Sequence, residues 1–487
     1  MAATVIQQSD TLPVTHRPGL AVLGGASAVG IAASLLVPEG MLGFGFTLVV
    51  LLAWLASRQV AKASLVQPTR ESQFLWIPIL LFSALLAWRD AEELRFLNVA
   101  MGSLFVGILA VRSRPGLLSK GTVFDYPLRA FGAWAVAMLD ALVLLANDIS
   151  WRLIPQNAHG RHLGGALRGL LLATPLVIVF GTLFANADAG FEGMFRGIRL
   201  DGEAIVQQCV VGAGFAWMAA GFYRRIYIGK DYWPQSEAKT IKPGRIGGIE
   251  LAIVLGSLNA LFLLFVATQF RHFFGGLEVL KSTQGLGIAD FARRGFFELV
   301  AVTGLTLPTL LGLHALIDPE SAGMRRLYKV LATGLVALLA VVMISAAMKM
   351  KLYMDAYNLT TLRLYVAATL VWLAIVFGWF AFTVLRDREQ RFAWGGVMAL
   401  ASAVLGLNLL SPDAFVARWN LAHSDSRAVD WDYLEGLSAD AAPILQLAPT
   451  DRLERIRERH SSRRANADWR SLNLSLFLAS QSQVRNR

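Results

Sequence analysis

The chain has 487 residues, 55% of them hydrophobic and 16% charged, with a formal net charge of +11 and one cysteine. Soluble domains carry nearer a quarter charged residues, so an ordinary water-soluble fold is excluded. The positive charge is spread over short polar stretches, which argues against nucleic-acid binding and for the Lys/Arg bias that orients membrane helices. The lone Cys209 rules out an intramolecular disulfide and a cysteine metal cluster.

Apolar stretches fill the chain from Gly19 to Leu410, each roughly 16 to 24 residues long, the length that crosses the hydrocarbon layer as a helix. They predict an all-α, polytopic transmembrane helical bundle of about 11 to 12 membrane helices. In chain order the spans fall near 19–37, 41–57, 73–88, 96–111, 165–184, 204–223, 249–269, 295–316, 327–347, 364–385 and 393–410. Residues 1–18 form a cytoplasmic N-terminal segment, and the first span reads as an uncleaved start-transfer helix. The transmembrane domain takes in 19–411, and 412–487 form a small, soluble, mostly helical C-terminal tail.

A twelfth stretch, Ala130–Leu145, is apolar enough to span but carries Asp140, which would cost roughly 2.5–3.5 kcal/mol if it faced lipid near the bilayer centre. Charge bias decides the expectation. If this stretch does not cross, the loops facing the cytoplasm hold about 23 Lys and Arg against about 11 outside; if it crosses, the bias vanishes. Eleven crossings are therefore expected, with 130–145 re-entrant or interfacial and the tail extracytoplasmic. A buried Asp140 needs a cation, and Arg129, Arg152 or Arg168 could reach it.

Further along, Arg293 and Arg294 precede Glu298 at the start of a span. Arg294 and Glu298 stand at i,i+4, on one helix face. Thr303, Thr306, Thr309 and His314 continue this helix past Pro308, and the threonines suit helix–helix hydrogen bonding. Lys351 to Tyr365 would align Tyr353, Tyr357, Thr361 and Tyr365 in one stripe. Asn358-Leu-Thr-Thr is expected to break it into a short interfacial helix and the next span. The ligand-binding set drawn from these pieces is Asp140, Arg152, Arg293, Arg294, Glu298, Tyr357, Arg363 and Tyr365. Gly24, Gly25, Gly30 and the pair Gly165 and Gly169 permit close helix contact. No phosphate-binding loop, HExxH or CxxC occurs, so no catalytic residue, metal or cofactor is assigned.

After Leu410, Ser411-Pro412 ends the last span. Trp431, Tyr433, Leu434 and Leu437 supply apolar faces for a small helical unit. Asp451 and Glu454 have capping-box spacing at the head of a charged helix, Arg452–His460, expected to present a solvated basic face.

Several pieces, in order, carry a resemblance. They are Leu258 to Phe262 running on to Gly276, Asp290-Phe-Ala-Arg-Arg-Gly-Phe-Phe-Glu-Leu299, and Tyr357 to Tyr365 with the Trp372 span. Pro412 to Asn420 and Asp432 to Ala441 complete the set. Here the chain resembles the bacterial membrane protein family of unknown function numbered 4173, with its relative numbered 4153, mainly over 250–445 and more weakly over 120–185. The resemblance implies one membrane module with a family-like core of about 120–411, in the bacterial inner membrane, and adds no mechanism. Asn358 stands where the family-like run has Gly.

Three functions are compatible with these residues. The first is binding or transport of a small or lipidic ligand through a polar site in the bundle. The second is a non-catalytic scaffold or signalling component whose tail docks a protein partner. The third is an intramembrane enzyme acting on lipid or envelope precursors. The lipid bilayer is the partner common to all three.

Overall fold

The computed structural model describes residues 17–37, 42–64, 69–112, 125–149, 202–228, 246–274, 296–318, 320–356, 358–423, 429–465 and 468–481, with isolated positions in 169–184. Among these residues the fold is all helix, without strands. The first four helices are α1 (Arg17–Leu36), α2 (Phe44–Ala63), α3 (Arg70–Trp88) and α4 (Glu92–Arg112). Then come α5 (Asp125–Val143), extended by a π turn over Leu144–Asp148, and α6 (Gly202–Tyr227). The second half holds α7 (Gly248–Phe274), α8 (Phe296–Leu316), α9 (Ala322–Ala356), α10 (Thr361–Thr383) and α11 (Phe392–Leu410). The tail forms α12 (Pro412–Ala422), α13 (Trp431–Glu435), α14 (Ala442–Leu445), α15 (Thr450–Ala465) and α16 (Leu474–Gln481).

Ten of the described helices are long and apolar enough to cross a membrane. Large apolar side chains point outward along them, among them Ile31, Phe74, Ile253, Leu305, Ile344 and Val371. Water would expel such a surface; hydrocarbon accepts it. This is a multi-pass helical bundle.

Consecutive helices run antiparallel. Gly45 of α2 abuts the Leu36 carbonyl at the end of α1. Thr47 Oγ1 donates to Ser83 O across α2 and α3 at 2.7 Å, and a three-residue turn joins α3 to α4. Helix α6 returns against α1, where Gly30 meets Gly212 and Ala216 so closely that a Cβ at Gly30 would lie 2.5 Å from a backbone oxygen. Small residues at such crossings let backbones approach where no hydrophobic effect draws helices together. Gly25 packs on Val60 and Tyr223, as expected of a contact glycine, whereas Gly24 faces open space.

In the second half, Ile246 N donates to Leu316 O at 3.2 Å, so α7 begins where α8 ends. Asn259 of α7 donates to Leu331 O of α9 at 3.0 Å. One apolar core lies among α7 to α10, around Leu255, Leu310, Leu335 and Phe380. A second joins α1, α2, α5 and α6, and a third joins α3, α4 and α11. Helix α11 bridges the halves. Asn98 of α4 and Asn408 of α11 exchange amide hydrogen bonds at 3.0 and 2.8 Å while buried.

Helix α5 has the length and composition of a span, but its contacts lay it across the bundle. Ala130 rests on Gly107, near the C-terminal end of α4. Asp148 rests on Gly19, in the first turn of α1. Those helix termini lie at the same end of the bundle, although an α-helix from Ala130 to Asp148 is about 27 Å long. The α5 segment therefore begins and finishes near one end of the bundle. Asp148 and the start of α6 at Gly202 lie at opposite ends; the predicted span 165–184 is outside the described residues.

The expected short helix before Asn358 is instead the last part of α9, which is 35 residues long. The break itself stands where the polar run placed it, and Thr360 caps α10 by accepting from Arg363 N. The charged helix of the tail is longer than expected, Thr450–Ala465.

Candidate functional site

Two buried polar clusters lie at opposite ends of the bundle. The first is built on α5. Asp140 and Asp148 are eight residues apart, which in an ideal α-helix sets them about 80° around the axis. The π turn over Leu144–Asp148 winds less per residue and brings Asp148 back toward the face of Asp140. Arg224 of α6, 1% exposed, fits between them. Its Nη1 donates to Asp140 Oδ1 at 2.8 Å and its Nε to Asp148 Oδ2 at 2.6 Å. Arg225 Nη1 reaches Asp140 Oδ2 at 3.3 Å. Two carboxylates thus meet two guanidinium groups. Alongside, Tyr227 and Ser57 share a hydroxyl hydrogen bond of 2.5 Å, and Tyr223 donates to Ala53 O at 2.6 Å. Gly221 lets α6 close on α5, since a Cβ there would lie 1.8 Å from Ala137 O.

The need of Asp140 for a cation is met: the antiparallel return of α6 delivers Arg224 and Arg225, which the sequence did not single out. The side chains of the candidates nearer in sequence, Arg129, Arg152 and Arg168, lie outside the described residues.

The second cluster holds the tail to the bundle. Asp90, in the turn between α3 and α4, is 4% exposed. Arg463 of α15 grips it bidentately at 2.9 and 3.0 Å, Asn473 donates at 2.9 Å, and Ala439 N donates at 3.0 Å. Asp440 answers in kind. It accepts from Asp90 N at 3.1 Å, Ala91 N at 3.0 Å and Ser475 Oγ at 2.5 Å, with Arg89 at 3.6 Å. Burial pushes the Asp90 carboxyl up, but Arg463, Ala439 N–H and Asn473 outweigh it and hold its pKa below the usual carboxylate value. His460, on α15, is buried with Nε2 unpartnered. Burial, helped by Arg463 and Arg459, lowers its pKa to about 4. The tail is thus a docked cap whose supposedly solvated helix commits Arg463 and His460 to the interface.

Among the described residues, the remaining predicted ones do not assemble into one site. Arg152, Arg293, Arg294 and Tyr357 lie outside the described residues, and with them the Arg294–Glu298 pair. Glu298 is exposed in the first turn of α8. Arg363 Nη1 donates to Asn358 O, closing the loop before α10. Tyr365 places its hydroxyl at the cap end, buried without a partner. Asp140, at the opposite end, does not join it. The threonines of α8 do not bridge helices: Thr303, Thr306 and Thr309 donate to carbonyls four residues back, at 2.7, 2.7 and 2.8 Å. His314 packs on the Tyr328 ring and His423 on Trp419.

Sequence reasoning missed Asp90, Asp440, Arg463 and Arg224 because each looked like an ordinary loop charge. The readable signal was amide side chains within apolar spans, Asn98 and Asn408, whose burial demands a partner.

These clusters and spans define a polytopic α-helical membrane protein whose C-terminal cap is clamped to its bundle. The chain belongs to the family described as Domain of unknown function (DUF4153), which it matches over residues 76–448. Of the two related families that the sequence resembles, the match is to the one numbered 4153. It also begins well before the expected core at 120 and runs into the cap, so Asp90, Asp140, Arg224 and Asp440 all lie inside it. No curated protein and no solved structure matches the chain.

Proposed function

We propose that the protein is a non-catalytic membrane scaffold or signalling component of the bacterial inner membrane, with the cap as its partner-facing part. The observation that carries this reading is the reciprocal exchange between Asp90 and Asp440, which fixes the cap to the bundle. The charges of the α5 cluster, by contrast, are neutralised by one another and hold helices together.

Charge bias supports an orientation. The end at which α1 begins carries Arg58, Lys62, Arg70, Arg224, Arg225, Arg325, Arg326, Lys329, Arg386, Arg388 and Arg391 near its helix termini. That end faces the cytoplasm and the cap faces away from it. In a Cys209→Ser background, a cysteine at Asp451 labels with impermeant thiol reagent in intact spheroplasts, and one at Glu389 only after permeabilisation. Labelling of both, or the reverse pattern, overturns the assignment.

A second reading, ligand binding, is favoured by one feature at the cap end. The Tyr365 hydroxyl and Ser411 Oγ are both buried without a hydrogen-bond partner, and Ser411 holds a left-handed backbone (φ 54°). Complementation of a deletion strain separates the two. The scaffold reading expects Tyr365→Phe and Glu298→Gln to restore the phenotype and Asp90→Ala to fail. Failure of Tyr365→Phe with normal membrane levels transfers the function to a ligand.

A further inference from the structure

The last helix of the cap presents an apolar face. In α16, Leu476 and Ala479 pack inward against Ala439 and Ala442, while Leu474 and Leu478, one turn apart, are 47% and 52% exposed. Trp469, just before it, is 55% exposed. Its position is set by hydrogen bonds to backbone atoms at the ends of three spans. Leu472 O accepts from Phe44 N at 3.2 Å at the start of α2, and Arg470 O accepts from Gly45 N at 2.8 Å. Arg470 Nη1 donates to Leu35 O at 2.6 Å at the end of α1. Ser475 Oγ donates to Trp88 O at 3.0 Å at the end of α3.

The apolar outer surface of α1 and α2 continues at this level through Leu35 and Phe44, both exposed. The Phe44 ring lies 6.5 Å from that of Trp469. The band that faces lipid therefore runs onto the cap without a polar gap in these contacts. Arg470 stands at its border, and Arg464 lies over the Phe477 ring. An exposed Trp followed directly by Arg470 and, five and nine residues on, by two exposed leucines has the composition of a headgroup-boundary anchor.

We propose that Trp469 and the Leu474–Leu478 face of α16 are seated in the headgroup–acyl boundary of the leaflet on the cap side. The lipid surface is then a second attachment of the cap, added to the Asp90 clamp and separate from the functional reading above.

The test is depth-dependent quenching in phosphatidylethanolamine/phosphatidylglycerol nanodiscs. A bimane label is placed at Leu478→Cys, at Leu474→Cys, or at the control Asp451→Cys, each in the Cys209→Ser chain. Lipid carrying a nitroxide on an upper acyl carbon is expected to quench the label at 478 and at 474 at least about twofold more than at 451, with iodide showing the opposite order. Equal iodide quenching at 478 and 451 overturns the proposal. Protection of 478 from both quenchers also overturns it, since a second protein surface would then cover the face. Leu474 repeats the measurement should one labelled variant misfold.

Discussion

Arg224→Met is expected to destabilise the bundle by about 3–5 kcal/mol, because it strands Asp140 and Asp148 as buried carboxylates without their shared cation. The loss falls on the seam where α5 joins α6 and α1. Unfolding in mixed detergent micelles, followed through Trp134 and Trp217, reads it: Trp134 donates to Ser103 O and Trp217 to Met138 O across α5. Adding Asp140→Asn and Asp148→Asn should recover most of the stability, since a buried ion pair replaced on both sides is close to neutral. If the triple variant folds but still fails in complementation, the cluster has a role beyond packing, and the structural account of it is wrong.

Asp90→Ala is expected to release the cap from an otherwise intact membrane domain. The substitution leaves Arg463, Asn473 and Ala439 N–H without their common acceptor inside a buried interface, again a loss of about 3–5 kcal/mol. Hydrogen exchange should rise across α15 and α16 and stay unchanged in α7 to α10, whose core is separate. Asp440→Ala removes the other half of the exchange. The double variant should fall short of additivity by about 0.5–3 kcal/mol, the range for residues in one network.

Acid acts on the same interface. His460 is held neutral with a folded-state pKa of about 4, below the unfolded value of 6.5. Its contribution is therefore complete above pH 6.5 and is lost as pH falls toward 4, a change of about 3 kcal/mol. The lowered pKa of Asp90 has the same sign, its stabilisation present above 3.8 and lost at still lower pH. Cap exchange should accelerate between pH 6.5 and 4, and His460→Gln should flatten that part of the profile. An unchanged profile in His460→Gln would mean another group senses the proton.

Much of the architecture was legible from residues alone. Leu251 to Thr268 and Val330 to Ala347 are apolar over a full membrane thickness, and no other environment suits them. Ser411-Pro412 ended the last span, and Asn358 to Thr361 separated α9 from α10, because each carries local turn or capping chemistry. Asp140 stood out because a carboxylate in an apolar stretch needs compensation wherever the chain goes. Its partner did not, since Arg224 is 84 positions away and becomes a neighbour only when α6 folds back along α1. The cap shows the same division. Its apolar Trp431, Leu434 and Leu437 announced a small folded unit, which exists. That it is clamped to Asp90, 350 positions before Asp440, left no trace in local pattern.

The all-α polytopic class was readable from residues alone, because insertion into hydrocarbon depends on length, polarity and flanking charge, all local quantities. Which charges pair with one another, and that the tail docks on the bundle as a cap, emerged only once the chain was folded. Those outcomes rest on contacts between distant segments, where a few ångströms decide whether a carboxylate is paired, and residue spacing carries no record of such distances.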